Sequence, residues 1–285
     1  MTNFIIIDGS YYCFYRYFAL ERWWSFAKPD EEIGIPLENK EFLEKFKSTF
    51  ISKIKEIEKK LKIKDAIKIV AKDCPREKIW RNKLCNNYKG NRTSDDNFMG
   101  GPFFKIAHEE LWEKAGIKTI ISYPELEADD CIALTVDRIK VTIPDANIFI
   151  IANDMDYLQL ASDKIFIYNL KYKNLCDSKS STKDAECDKF CKIICGDKSD
   201  NIPGIFKKCG IKTAIKYYND QELFKDRIKE LINAIKLVFA SIFFHESKLV
   251  GPTSPKMHLL KNILINHQRL KSISLISIRE QNHRL

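Results

Sequence analysis

The feature that most constrains this chain is a motif repeated along its first half: a short apolar run that ends in an acid. Phe4-Ile5-Ile6-Ile7 leads into Asp8-Gly9-Ser10, and Ala66-Ile67-Lys68-Ile69-Val70-Ala71 ends at Lys72-Asp73. Gly116 to Ile121 runs into Glu125-Leu126-Glu127-Ala128-Asp129-Asp130, and Asn147 to Ala152 is closed by Asn153-Asp154-Met155-Asp156. Ile165-Phe166-Ile167-Tyr168 adds a fifth run. Runs of this length and composition are strands buried on both faces. Helical patterns lie between them: Tyr11 to Phe18, Asn39 to Lys62, Phe103 to Ala115, and a helix carrying Ile132, Ala133, Val136 and Ile139. Strands alternating with helices predict an α/β fold with a mainly parallel central sheet flanked by helices. In such sheets ligands gather beyond the carboxyl ends of the strands, where these acids fall.

Other segments carry less pattern. Residues 21–38, with Pro29, Gly34, Pro36 and the pair Trp23-Trp24, read as irregular. Thr93 to Pro102 is polar and reads as the most mobile segment. Lys171 to Lys183 is a polar linker, a helix follows to Cys195, and a longer helical pattern runs from Gln221 to Phe244. The weakly patterned stretch from Met257 to Leu285 is expected to be partly helical.

Charge enters where a partner is concerned. With 48 Lys and Arg against 39 Asp and Glu the net charge is +9, which favours a polyanionic partner. Arg76, Lys78, Trp80, Arg81, Lys83, Tyr88, Lys89 and Arg92 interleave cations with rings, a composition suited to phosphates and bases. The same stretch also fits an exposed basic helix. None of the 9 cysteines forms a C-x-x-C pair, so no zinc ribbon is predicted. Cys187, Cys191 and Cys195 read as small buried thiols. The opening residues read as a strand rather than a targeting leader, and no apolar run is long enough to span a membrane. An intracellular, reducing setting is expected. There is no P-loop, and none of the 5 histidines stands beside an acidic motif, which argues against nucleotide triphosphate chemistry and a serine-type triad.

Around Cys195-Gly196-Asp197-Lys198-Ser199-Asp200-Asn201-Ile202-Pro203-Gly204 two acids precede a Pro-Gly turn, and Lys207, Lys208, Gly210 and Lys212 follow. Acids converging from separate segments require cations or pKa shifts to neutralise them, and oxygen-only ligation selects Mg²⁺ or Mn²⁺. Two such ions about 4 Å apart support phosphodiester hydrolysis.

In order, Ile7-Asp8-Gly9-Ser10, Asp73, Tyr88-Lys89-Gly90-Asn91-Arg92, Glu127-Ala128-Asp129-Asp130, Asp154-Met155-Asp156-Tyr157 and Gly196 to Gly204 resemble the 5′-nuclease (flap endonuclease) superfamily. They look nearest to the phage 5′-3′ exonucleases and the 5′-nuclease domain of bacterial DNA polymerase I, over residues 4 to about 218. The resemblance implies a PIN-like nuclease core over residues 1–175 with an arch near 81–105. It implies a helix–two-turn–helix duplex-binding region over 176–245 and leaves 246–285 as a divergent tail. Asp73, Glu127 and Asp129 match acids of the catalytic metal, supported by Asp8 and Asp130. Asp154, Asp156 and Asp200 match the second metal, with Asp197 beside them. Lys89 and Arg92 match the basic pair that engages the scissile phosphate, and Tyr88 a position that stacks on the terminal base.

Arg81 and the Gly204, Lys207, Lys208, Gly210 and Lys212 group complete the expected nucleic-acid contacts, and the family often holds K⁺ at that element. Lys207-Lys208-Cys209-Gly210 stands where its second turn usually reads Gly-hydrophobic-Gly. The implied activity is structure-specific 5′-3′ exonuclease or flap endonuclease cleavage of DNA, with RNA primers or RNA–DNA hybrids as further substrates, by a monomer in replication or repair. A catalytically inactive DNA-binding homologue, a metal-dependent ribonuclease and a basic scaffold protein are the alternatives.

Overall fold

The computed structural model describes residues 2–85, 87–92 and 97–245. The expectations for part of the 93–102 segment and for the 246–285 tail lie outside those residues.

Five strands form one sheet in the order β3-β2-β1-β4-β5: β1 (Asn3–Asp8), β2 (Ile67–Ala71), β3 (Thr119–Ile121), β4 (Asn147–Ile151) and β5 (Ile165–Tyr168). All the pairings are parallel. Alternation along β1 builds both faces. Ile5 and Ile7 face one core with Tyr12, Tyr17, Phe42, Phe46, Phe50 and Trp112. Phe4 and Ile6 face the other with Ile132, Val136, Ile148 and Ile150.

The first core is covered by α1 (Gly9–Ala27), α2 (Lys40–Leu61) and a helical run made of α3 (Gly101–Ile106), a π-helical turn (Ala107–Leu111) and α4 (Trp112–Lys114). The second is covered by α5 (Ala128–Thr142). Helix α2 follows its sequence pattern, with Asn39 accepting a hydrogen bond from the Phe42 N–H at 3.0 Å as its N-cap. Its buried residues Phe42, Phe46, Phe50, Ile54 and Ile57 fall at helical spacing.

Two expectations are corrected. Helix α1 continues through Trp23-Trp24 to Ala27, where the sequence read as irregular, because Leu20 and Trp24 carry its buried face onward. The third strand starts at Thr119 rather than Gly116. Gly116 has φ 86°, and the Ile117 N–H donates to the Trp112 carbonyl at 3.0 Å, so these residues terminate the preceding helix.

The chain divides into two compact units, Met1–Pro203 and Gly204–Leu285. Helix α6 (Ala185–Cys195) belongs to the first unit, where it packs on the 3₁₀ turn Met155–Leu160 that follows β4. The second unit contains α7 (Ile211–Asn219) and α8 (Gln221–His245), with Phe206 against Tyr217 and Phe224 at ring separations of 5.7 and 6.4 Å.

Candidate functional site: an acidic crevice at the strand ends

The chain leaves β1 toward β2 and β3 on one side and returns as β4 and β5 on the other, so the strand order reverses beside β1. Asp8 pairs in register with Ala71, and Ile7 with Ile151. The ends of β1, β2 and β4 are therefore level, and Asp8, Asp73 and Asp154 emerge at the same edge. Gly9 makes this closeness possible: a Cβ there would lie 2.6 Å from the Ala71 carbonyl oxygen.

Local bonds orient each acid. Asp8 caps α1, accepting from the Tyr11 N–H at 2.9 Å, and its other oxygen accepts from the Tyr157 hydroxyl at 3.0 Å. Asp73 accepts from the Ser10 hydroxyl and, at 2.7 Å, from the Ala128 N–H at the start of α5. That bond ties the acidic turn Glu127-Ala128-Asp129-Asp130 to the end of β2. Within the turn, carboxylate oxygens of Glu127, Asp129 and Asp130 lie within 4.8 Å of one another.

The acids fall into two electrostatic groups. In the first, the chain's own cations answer the charge. Arg81 donates to both oxygens of Asp130 at 2.7 Å each and to Glu127 at 3.1 Å. Lys89 donates to Glu127 at 2.5 Å and Arg92 to Asp200 at 2.5 Å. Lys192 pairs with Asp156 and, at 2.6 Å, with Asp197. Burial alone would raise Asp197, but its bonds to Lys192 and Ser199 outweigh it and leave its pKa at about 2.

In the second group no ion pair forms. Among the described residues Asp8, Asp73, Asp129 and Asp154 have no ion-pair partner. Burial, with the charges of Asp73 and Asp154 adding, pushes Asp8 up to about 6 against its two hydrogen bonds. Burial, with Asp130 and Glu127 adding, pushes Asp129 up to about 7 against the pull of Arg81. Such shifts mark an unmet demand for positive charge. The donor set is all oxygen, which fits Mg²⁺ or Mn²⁺.

The basic loop is pinned to this crevice. Lys89 and Asn201 adopt left-handed backbone, φ 53° and 58°, and the Lys89 N–H donates to the Asp200 carbonyl at 2.9 Å. Such conformations cost energy in residues other than glycine and persist where surroundings enforce them. Asn91 and Asn201 add cross-bonds of 2.8 and 2.9 Å between the two loops.

Tyr88, expected to offer its ring for stacking, is buried, and its hydroxyl donates to Glu127 at 2.7 Å and lies 3.1 Å from Asp200. Arg81, expected on nucleic acid, is held by Asp130 in this structure. Lys207, Lys208, Gly210 and Lys212 are exposed in the second unit, with Gly210 at the N-cap of α7 and Gly204 half-buried nearby in sequence. Sequence reasoning missed four partners of the acids: Ser10, Tyr157, Lys192 and Ser199. Ser10, Tyr157 and Ser199 stand inside the acidic motifs and were legible as neighbours. Lys192 had only a spacing of five residues before Asp197 to mark it. Among the described residues no helix is long and apolar enough to cross a membrane.

The family model "5′-3′ exonuclease, N-terminal resolvase-like domain" matches residues 3–189. A 5′-3′ exonuclease of Buchnera aphidicola subsp. Acyrthosiphon pisum is 31% identical over 241 residues, covering 80% of this chain and 76% of the relative. The 5′-3′ exonuclease of Bacillus subtilis is 33% identical over 167 residues, 55% of this chain and 53% of that one. DNA polymerase I of Streptococcus pneumoniae is 31% identical over 148 residues, 48% of this chain and 16% of the polymerase.

Two solved structures share the fold. T5 5′-exonuclease with bound zinc has TM-score 0.53 at 18% identity, covering 96% of this chain and 89% of that one. A bacteriophage T5 flap endonuclease pseudo-enzyme–product complex with DNA and metal ions has TM-score 0.56 at 19% identity, covering 94% and 87%.

Proposed function

The chain belongs to the 5′-3′ exonuclease family, and from that premise we propose that it is a Mg²⁺- or Mn²⁺-dependent nuclease acting on DNA at 5′ ends, flaps and single-strand/duplex junctions. RNA primers are its secondary substrate, and it works as an intracellular monomer in replication or repair. The observation that carries this reading is the group of acids without ion-pair partners among the described residues, Asp8, Asp73, Asp129 and Asp154, at the strand-order reversal of a parallel sheet.

Asp73, Glu127 and Asp129, backed by Asp8 and Asp130, would hold one ion. Asp154, Asp156 and Asp200, with Asp197, would hold the second. When bound, two such ions activate water and stabilise the attacking and leaving oxygens of a phosphodiester. The chain's own residues do the rest. Ser10, Tyr157 and the Ala128 N–H fix Asp8 and Asp73 so that little reorganisation accompanies binding. Lys89 and Arg92 sit at the crevice on Glu127 and Asp200. From there their charges oppose the negative charge that grows on a phosphate being cleaved.

Arg92, 49% exposed, reaches solvent most readily and makes first contact with the phosphate. Duplex backbone is gripped by Gly204, Lys207, Lys208, Gly210 and Lys212, and K⁺ is the ion to test at that turn. Functionally, the nuclease core is assigned to residues 1–175, the duplex-binding region to 176–245 and a divergent tail to 246–285.

The test is cleavage of an end-labelled 5′-flap DNA in Mg²⁺ and in EDTA. Wild type cuts only with the metal. Asp73→Asn and Asp154→Asn each abolish cutting while duplex binding persists. Full activity in either variant removes that acid from the mechanism, and metal-independent cutting rejects the reading. Absence of cutting by the wild type with duplex binding intact would instead support a DNA-binding homologue.

A further inference from the structure

One cation of the acidic crevice stands apart from those on the arch loop. Lys192 lies on the last turn of α6, five residues before Asp197 in sequence. It bridges two acids from different segments: Asp156, on the 3₁₀ turn after β4, and Asp197, on the loop after α6. The second carboxylate is tightly specified. Its Oδ1 accepts from the Ser199 N–H at 2.7 Å and the Ser199 hydroxyl at 2.6 Å, which leaves Oδ2 for the lysine at 2.6 Å.

Asp156 is tied by its own N–H to Asp154 Oδ1 at 2.9 Å, so the bridged pair adjoins an acid that has no cation. The lysine side chain is 39% exposed. It can leave the pair and swing to solvent on its flexible stem without opening the core. An ammonium is a single charge held by a long chain, whereas a divalent ion brings twice the charge.

We propose that Lys192 is a displaceable resident cation that sets the affinity of the second divalent ion, by competing with it for Asp156 and Asp197. This rests on the reading that the crevice holds two ions. In the absence of metal the lysine holds α6 and the Asp197 loop to the turn after β4. When a divalent ion binds it gives up both carboxylates, and its ammonium becomes free for other anions at the crevice mouth. Lys192 is thus a positioning residue for metal loading rather than a catalytic one.

The experiment titrates Mn²⁺ into the full chain and follows free Mn²⁺ by electron paramagnetic resonance. Wild type, Lys192→Met and Lys192→Arg are compared, with thermal unfolding of each in EDTA and in Mg²⁺. Wild type should bind two ions of unequal affinity. Lys192→Met should tighten the weaker ion about tenfold and leave the tighter one unchanged. Lys192→Arg, whose fork grips carboxylates more firmly, should weaken the same ion. In EDTA the Met variant should unfold at lower temperature than wild type, and Mg²⁺ should abolish the difference, because the ion replaces the missing charge.

Weaker-site affinity unchanged in both variants would overturn the proposal. So would a stability loss that Mg²⁺ does not repair, since that marks a structural strut. Should Lys192→Met fail to fold, Lys192→Arg still decides the matter through the weaker site. Wild type that binds no Mn²⁺ would instead sink the two-ion reading, and this inference with it.

Discussion

Replacing Asp8 by Asn should stabilise the metal-free protein at neutral pH, although it removes a residue at the centre of the site. Asn has nearly the shape of Asp and can still accept the Tyr11 N–H bond that caps α1. What it removes is a buried negative charge facing Asp73 and Asp154. The carboxyl is raised from 3.8 to about 6, which corresponds to about 3 kcal/mol of destabilisation when the group is ionised.

Between pH 4 and 6 the folded state holds a proton on Asp8 that the unfolded chain has lost, so stability falls as pH rises through that window and levels off above it. Urea unfolding in EDTA should therefore show Asp8→Asn more stable than wild type by up to about 3 kcal/mol at pH 7.5, and by almost nothing at pH 4. With saturating Mg²⁺ the advantage should shrink or reverse, because the ion stabilises most the protein that retains the carboxylate. An Asn variant less stable than wild type in EDTA at pH 7.5 would refute the claim that Asp8 is an uncompensated buried charge.

Two further outcomes test other parts of the structure. Phe50→Ala, which removes a fully buried ring packed 4.9 Å from Tyr12 and 4.7 Å from Trp112, should cost about 3–5 kcal/mol by urea unfolding without changing the Mn²⁺ affinity of the folded protein. His108 is pushed down to about 4, by burial first and then by Lys72, so its contribution is present above pH 6.5 and lost as pH falls toward 4. His108→Gln should flatten that acid-side loss, worth at most about 3 kcal/mol, in an unfolding series from pH 7 to 4.

The sheet and most of its acids were legible because each strand is a short apolar run and four of the five lead into acids. Helix α2 was legible because its phenylalanines recur every fourth residue. The later turns of α1 were hidden for the opposite reason: aromatic residues surround the helix, so no single stripe stood out, and the nearby Pro29 and Gly34 read as irregularity. The counter-charges were hidden more deeply. Arg81, Lys89 and Arg92 read as a surface for phosphates, yet they bond acids 38 to 108 residues away in sequence. A sequence displays a lysine's charge but not the carboxylate it will meet, and that pairing is set only when the β-sheet brings distant segments level.

The central claim is that acids scattered along the chain form one pocket that shares divalent ions. Anomalous diffraction from crystals soaked in Mn²⁺ tests it most directly. Two peaks about 4 Å apart, one bounded by Asp73 and Asp129 and the other by Asp154 and Asp156, are the predicted result. A crevice without Mn²⁺ at saturating concentration, or ions held only at acids outside it, would contradict the account.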